Sequence, residues 1–449
     1  MDNIDALSKE RESPSITDEL DLAESLSDDE TLVYSSQRFW KFSEDEGIWF
    51  EIPDDEIRKS LQTACRCARI SVRDTFIRGA LNQAKARFFK QITFDRIDTR
   101  SIPTLNGVLR FSDGQWSLSP YLREDYRRVR LPITFDPTAK CPRFLQFLEE
   151  IFEPLPGTGE EGRRDALEKI RALLEFMGYS FTCSTEFETA ILLVGAGGNG
   201  KSVVLRLLER MVGSRNRAAV QIRQLDNRFQ RAHLDGKLVN IMSELPEGAE
   251  IPDGEIKSLI SGETITAEFK FKSAFDLSPV VKLWIGTNHM PSTRDLSEGL
   301  FRRFLILQFN NRFDDKPERD TRLVDKLAAE SSGILNLCLK ALGGVYERGA
   351  LTKPRSSVLA VEAWKRDVDQ VAQFLDECMT LGAGLSMKTV DLYNTYRSWA
   401  IESGIKKLLG KKGLVQRLDK FGVKPGKVQG ARGVWGIKER SEVDELVKF

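Results

Sequence analysis

Histidine and cysteine are scarce in this 449-residue chain, and their scarcity narrows its chemistry. There are two histidines, His233 and His289, and six cysteines, at positions 65, 67, 141, 183, 338 and 378, with no C-x-x-C spacing. A structural zinc site needs Cys and His ligands in closely spaced pairs, so zinc-ribbon and zinc-finger classes are excluded. The same spacing offers no disulfide framework, and reduced structural thiols are expected. Nowhere does an apolar run approach the ~20 residues that span a bilayer. The opening residues, Met1-Asp2-Asn3-Ile4-Asp5, are acidic where a secretory signal would be basic and then apolar. No membrane association is expected, and the reading is a cytoplasmic protein.

Net charge is also missing, but only as a sum. Residues 1–31 hold eleven acids against Lys9 and Arg11, a net −9 with no aromatic residue, which leaves +9 on the remainder. Such an acidic, Ser-rich segment buries too little apolar surface to order itself, so a disordered acidic tail is expected over residues 1–35. Beyond it the patterns predict a mixed α+β domain over 36–180, an α/β core over 181–330, a helical connector over 331–355 and a basic domain over 356–449. In the first of these, Leu105–Phe111 and Gly114–Leu118 alternate about Asp113-Gly114, a hairpin signal. A long helix is expected near Gly162–Met177, stopped by Gly178.

What the chain does contain is the run Gly195-Ala196-Gly197-Gly198-Asn199-Gly200-Lys201-Ser202, set between an apolar strand, Ala190–Val194, and an apolar helix. This is the pattern G-x-x-x-x-G-K-[ST] in the context it requires. Glycines let the backbone close around phosphates, and the following helix aims its positive end at them. Lys201 is expected on the β/γ-phosphates of ATP and Ser202 on Mg²⁺.

Two later apolar strands each end in a polar group suited to hydrolysis. Leu238–Met242 leads to Ser243-Glu244, where Glu244 can orient the metal's water shell or polarise the attacking water. Val280–Thr287 leads to Asn288, whose amide can bond both the γ-phosphate and that water. Arg302 and Arg303 stand just before a further strand, Leu305–Phe309. Adjacent guanidiniums there cannot both point one way, so one can face inward while the other reaches a neighbouring copy as an arginine finger.

The order and spacing of Gly195–Ser202, Lys237–Glu247, Ile256–Glu263, Trp284–Pro291 and Gly299–Phe309 resemble superfamily 3 helicases, AAA+-type hexameric motors of viruses, phages and plasmids. More closely, the chain resembles the helicase half of the phage and poxvirus primase-helicase family, in which Ser-Glu-x-x-Glu-Gly, here Ser243–Gly248, serves as the acidic motif. Asn106–Leu109, Leu131–Pro137 and Cys141-Pro142 resemble the domain that precedes the motor there. The resemblance implies an α/β fold with a P-loop AAA+-type core, a homohexamer on single-stranded or forked DNA, and movement 3′ to 5′.

It also implies a DNA-gripping hairpin, for which Thr264–Phe275 qualifies, with Lys270 and Lys272 expected on one face and Phe269 and Phe271 on the other. A second cationic stretch, residues 404–432, holds nine basic residues and one acid. Helices near Asp367–Met379 and Lys388–Glu402, the helix Lys411–Phe421 and the strand pair Gly422–Ile437 follow the order of a winged helix. Lys411, Lys412 and Arg417 would lie on its recognition helix and Lys424 and Lys427 in its wing. Primase chemistry is not expected, since no polymerase-type metal site is evident, and a separate primase or polymerase partner is implied. The overall expectation is an ATP-dependent replication helicase. An ATP-switched initiator that does not unwind, and a small-molecule phosphotransferase, are the alternatives.

Overall fold

A computed structural model describes residues 16–26, 30–293, 295–313, 320–405 and 408–440. At the amino end, β1 (Leu32–Ser35), β2 (Arg38–Ser43) and β3 (Ile48–Ile52) pair antiparallel in that order. Helices α1 (Glu19–Glu24), α2 (Asp54–Cys67) and α3 (Asp74–Arg87) pack on them around Leu22, Phe39, Leu61 and Ala80.

The expected tail over 1–35 is thus corrected in its second half. Asp18 caps α1 by accepting the N–H groups of Leu20 and Asp21, and Glu19 and Asp21 occupy the first turn, where the helix dipole favours acids. Leu22 and Ala23 are fully buried against this core, with Ile16 and Leu26 packed at its edge. Composition averaged over the acidic stretch concealed this one-sided apolar pattern. Residues 1–15 and 27–29, with the acids they carry, lie outside the described residues.

A second antiparallel sheet, β4 (Ile102–Thr104), β5 (Gly107–Ser112) and β6 (Gln115–Ser119), comes next. Its β5–β6 turn is the expected Asp113-Gly114, with φ of 51° and 75°, the left-handed pair that matches strand twist. Helices α4 (Pro142–Ile151) and α5 (Gly159–Ser180) lead into the central sheet.

That sheet has five parallel strands in the order β13-β7-β12-β9-β8: β7 (Ala190–Val194), β8 (Arg217–Ala218), β9 (Val239–Met242), β12 (Lys282–Thr287) and β13 (Phe304–Gln308). Between them run α6 (Lys201–Val212), α7 (Arg228–Arg231), α8 (Asp253–Ser261), the hairpin β10 (Ile265–Glu268) and β11 (Ala274–Leu277), and α9 (Glu298–Phe301). The strands are near-continuous apolar runs because both faces are covered. Ile191, Leu193, Leu305 and Leu307 face one core; Ala190, Leu192, Leu283 and Ile306 face the other.

The chain continues through α10 (Leu323–Ala329), α11 (Ser331–Arg348) and α12 (Arg355–Val368). Here three expectations are corrected. Residues 331–355 are no connector: Leu335, Cys338 and Leu342 of α11 are fully buried in the same core as Phe144, Phe176 and Ile191, which also erases the boundary expected at 180. Gly178 does not stop α5 but lies inside it, where a Cβ would sit 2.7 Å from the carbonyl oxygen of Cys338; the missing side chain lets α5 and α11 touch. And α12 belongs to the central body rather than the basic domain, since Trp364 is buried against Phe301 and Phe304, and the Ser357 hydroxyl accepts the buried Ile306 N–H at 2.9 Å.

The last unit comprises α13 (Gln370–Cys378), β14 (Met379–Lys388), α14 (Thr389–Glu402), α15 (Lys411–Leu418), β15 (Lys424–Val428) and β16 (Ala431–Glu439). Its antiparallel sheet runs β14-β16-β15 over a separate core of Phe374, Tyr396, Leu414 and Val434. Strand β14 was not expected, for Met379–Lys388 contains two glycines and no run of β-branched residues. No described helix is long and apolar enough to cross a membrane.

Candidate functional site

The loop 195–200 joins β7 to α6 at the carboxyl edge of the central sheet. Gly198 and Gly200 have φ of 67° and 90°, and a Cβ on Gly200 would lie 2.7 Å from Ile151 of α4. A Cβ on Gly195 would collide with the carbonyl oxygen of Phe309. Asn199, buried, pins the loop by donating to the carbonyls of Ala196 (2.9 Å) and Phe309 (3.1 Å). The Phe313 N–H donates to the Gly198 carbonyl at 2.8 Å from the other side.

The Lys201 amine donates to the Gly195 carbonyl and, at 3.2 Å each, to the side-chain oxygens of Asn199 and Asn288. Burial lowers its pKa from the ordinary lysine value, and the Glu244 carboxylate opposes that shift. All three partners are neutral oxygens, and no carboxylate makes ion-pair contact with it among the described residues. It is a largely buried cation held among neutral acceptors.

Around this amine opens a cleft of about 780 Å³. Its floor is the loop with Ser202; Glu244 and Asn288, both exposed, line its side. Strand β12 lies directly beside β7, pairing Thr287 with Val194, so Asn288 stands next to the loop. The Thr287 hydroxyl fixes the turn that presents Asn288, donating to the His289 carbonyl and accepting its N–H. The Leu245 N–H docks the Glu244 segment on the Gly286 carbonyl at 3.2 Å. A Cβ on Gly286 would come 2.6 Å from the Ser243 carbonyl, so only glycine lets the two strand ends pass.

The sequence reading missed Arg143 of α4, which lines the same cleft. Its guanidinium meets Glu150 at 3.3 Å, while Nη1 is buried without a partner among the described residues. Nothing in the local sequence marks it. It lies on the polar side of an amphipathic helix, and only the tertiary fold turns that side toward the loop.

Arg302 and Arg303 sit at the opposite edge of the sheet. Phe304, the next residue, pairs with Ala190, the first residue of β7, whereas the loop comes after the last, Val194. The separation is the length of a five-residue strand, roughly 13–17 Å. The two arginines diverge. Arg303 is 11% exposed and points inward, bonded to Glu188 (2.7 Å), the Ser261 hydroxyl (2.9 Å) and the Gly299 carbonyl. Arg302 is 64% exposed and only 3.9 Å from Glu188.

The expected faces of the hairpin are corrected. Residues 269–273 form the turn between β10 and β11 rather than extended strand, so alternation stops there. Phe269 folds back to stack on Phe275, ring centroids 5.4 Å apart at 12°. Phe271 instead stands at the tip, 93% exposed, beside the exposed Lys270 and Lys272. The base of the hairpin rests on the amino-terminal sheet through Arg38, whose guanidinium lies 5.3 Å from the Phe275 ring centroid.

Arg38 also enters a buried ionic cluster that ties this sheet to the central body. Asp235 binds Arg38 at 2.5 Å and Arg128 at 2.8 Å, and Arg128 binds Asp95 at 2.6 Å. Burial alone would raise the Asp235 carboxyl, but the two guanidiniums outweigh it and hold the pKa below the usual range.

In the last unit Lys411 and Lys412 open α15, Arg417 lies in its final turn, and Lys424 and Lys427 lie on β15. Lys427 is paired across the ladder with Arg432, a like-charge opposition that destabilises a sheet without an anion nearby. Lys424 is tied to Asp419 at 2.8 Å. Lys406 and Lys407 lie outside the described residues.

Comparison with known proteins matches three family models to this chain. Residues 22–153 match "D5 N terminal like", residues 193–303 a family of unknown function, DUF5906, and residues 366–435 "Poxvirus D5 protein-like". Similar curated proteins are "Putative helicase 022R" of Frog virus 3 (isolate Goorha), 23% identical over 57% of this chain and 28% of its own length, and "Putative helicase L207/L206" of Acanthamoeba polyphaga mimivirus, 24% identical over 47% and 25%. A third, "Putative helicase 121R" of Invertebrate iridescent virus 3, is 24% identical over 52% and 25%. The chain thus spans about a quarter of the length of these relatives. Two apo structures of the NrS-1 C-terminal region share the fold, with TM-scores of 0.53 and 0.52, identities of 12% and 13%, and coverage of 94% of this chain and 99% of that one. With D5-type models matching residues 22–153 and 366–435, viral relatives that carry the name putative helicase, and the fold shared with the NrS-1 C-terminal region, the chain is related to the D5-type primase-helicase family.

Proposed function

We propose that this chain is an ATP-dependent DNA helicase that moves on single-stranded DNA as a homohexameric ring during replication of viral, phage or plasmid type. The observation that carries the reading is the division of labour across the central sheet. Lys201, Ser202, Glu244 and Asn288 converge on one cleft at the carboxyl edge, while Arg302, 64% exposed, stands at the amino edge of the same sheet. Arg302 faces away from its own cleft, so the phosphate it serves belongs to another copy. A closed ring satisfies every site with one repeated interface.

The loop fits a nucleoside triphosphate. Collisions at Gly195 and Gly200 exclude side chains there, leaving backbone amides to face the phosphates, and Lys201 is bonded only to neutral oxygens. Ser202 and, through water, Glu244 would hold Mg²⁺, which when bound neutralises phosphate charge. Glu244 accepts a proton from the attacking water, and Asn288 orients that water while bonding Lys201. Arg143 adds a cation from α4 on the phosphate side of the cleft. Arg303 is a positioning residue that braces the segment carrying Arg302.

The hairpin tip with Lys270 and Lys272 lines the strand's path, and phosphates pass from copy to copy without sequence readout. The helix–strand–helix–helix–strand–strand order of the last unit supports a winged helix, with Lys411, Lys412 and Arg417 on the recognition helix and Lys424 and Lys427 in the wing. A separate primase or polymerase supplies synthesis.

Strand displacement on forked DNA tests the reading. Unwinding should require ATP and vanish in Lys201→Ala. DNA binding and ATP turnover without displacement would instead identify an initiator that assembles but does not unwind.

A further inference from the structure

The hairpin between β10 and β11 ends in a β-turn closed by the Lys272 N–H donating to the Phe269 carbonyl at 2.9 Å. Phe271 is the third residue of that turn and has φ of 66°. Glycine or asparagine normally fills such a position, and for a bulky side chain the conformation is strained. The same ring is 93% exposed, more than any other large apolar side chain described. Strain and exposure are both unfavourable to folding, and neither is repaid inside the chain. Below the tip, Phe269 stacks on Phe275 and Arg38 packs on both rings, so the base is packed while the Phe271 ring stands in solvent. The Lys270 amine lies 5.2 Å from the Phe271 ring centroid, and that of Lys272 lies 3.9 Å from Glu51.

We propose that Phe271 is a base-stacking platform: its ring takes a nucleobase of the single strand while the flanking lysines hold the adjoining phosphates. The proposal deepens, and rests on, the single-strand DNA reading above. An aromatic face between two cations is the recurring chemistry of sequence-tolerant single-strand binding, since every base offers a π-face. The left-handed backbone is what lifts the ring off the hairpin, where ordinary alternation would have turned it onto the Phe269 side.

The test is binding of fluorescent oligo-dT and of an abasic strand of equal length, which carries the same phosphates and no bases, with a non-hydrolysable ATP analogue present. The wild type should bind oligo-dT roughly tenfold more tightly. Phe271→Gly, which suits the turn and should not impair folding, and Phe271→Leu, which keeps an apolar side chain without a π-face, should bind both strands alike. Phe271→Trp should restore the preference. Lys272→Ala should weaken both strands equally and flatten the salt dependence. Retention of the preference in Phe271→Gly would overturn the proposal. Equal wild-type binding of both strands would overturn it while leaving the motor reading intact, whereas no binding of either would remove both.

Discussion

The amine of Lys201 is hydrogen-bonded to the side-chain carbonyl of Asn288, 3.2 Å away across the gap between β7 and β12. The contact joins the glycine-rich loop to the end of the neighbouring strand. It also orients the Asn288 amide, leaving its NH₂ free to donate into the cleft. Asn288→Ala should therefore lower kcat about 10- to 100-fold with a smaller change in KM, the pattern of a contact used mainly in the transition state. Asn288→Asp should raise KM as well, because a carboxylate there would pair with Lys201 and compete with phosphate. Steady-state ATP turnover of the two variants distinguishes these effects.

Glu244 stands exposed in the cleft rather than bound to Lys201, which suits a group that acts on water. Glu244→Gln keeps its size and loses its basicity. It should bind fluorescent ATP with affinity near wild type and turn over at least about 100-fold more slowly. Equal loss of binding and turnover would assign Glu244 to nucleotide binding instead.

Asp235 joins the amino-terminal sheet to the central body through Arg38 and Arg128. Its folded-state pKa is lowered, so its contribution is present above the unfolded value near 3.9 and is lost as pH falls through the folded value. Asp235→Asn should destabilise by the low end of roughly 3–5 kcal/mol at pH 7, since Glu51 and Asp95 still partner the arginines. The gap between wild type and variant should begin to narrow as pH falls below about 4, as urea unfolding would show.

The pKa of Lys282 is lowered too, by burial rather than by a charged partner, and its window lies at neutral to alkaline pH. It is buried on β12, bonded to the carbonyls of Thr182 and Val280, and burial lowers its pKa to about 7. Between that value and the unfolded one near 10.4, the unfolded chain binds the extra proton, so folding stability rises with pH across this window. Lys282→Met should remove that rise. Thermal melts of both proteins from pH 7 to 10 give the difference.

The strand, glycine-rich loop and helix around residues 195–202 were legible in the sequence because their whole signal is contiguous, eight residues between a strand and a helix. The position of Glu244 and Asn288 beside the cleft was legible because each stands just past the carboxyl end of an unbroken apolar strand, the edge at which α/β sheets gather their polar groups. The hidden features depend on packing. An apolar helix does not announce which core it joins, so α11 read as a connector and Gly178 as a stop. The one-sided pattern of α1 was diluted by the acids around it, and Arg143 has no local mark at all. At the hairpin, period-two alternation was carried through a turn that breaks it, which put Phe271 on the wrong side.

In the proposed ring, each ATP site is completed by Arg302 of a neighbouring copy. Lys201→Ala retains the finger and lacks the site; Arg302→Ala retains the site and lacks the finger. Each alone should turn over ATP poorly, and an equal mixture should regain DNA-stimulated turnover, because about a quarter of randomly formed interfaces then pair an intact site with an intact finger. A mixture no more active than the sum of its parts, or Arg302→Ala turning over ATP at the wild-type rate, would contradict the account.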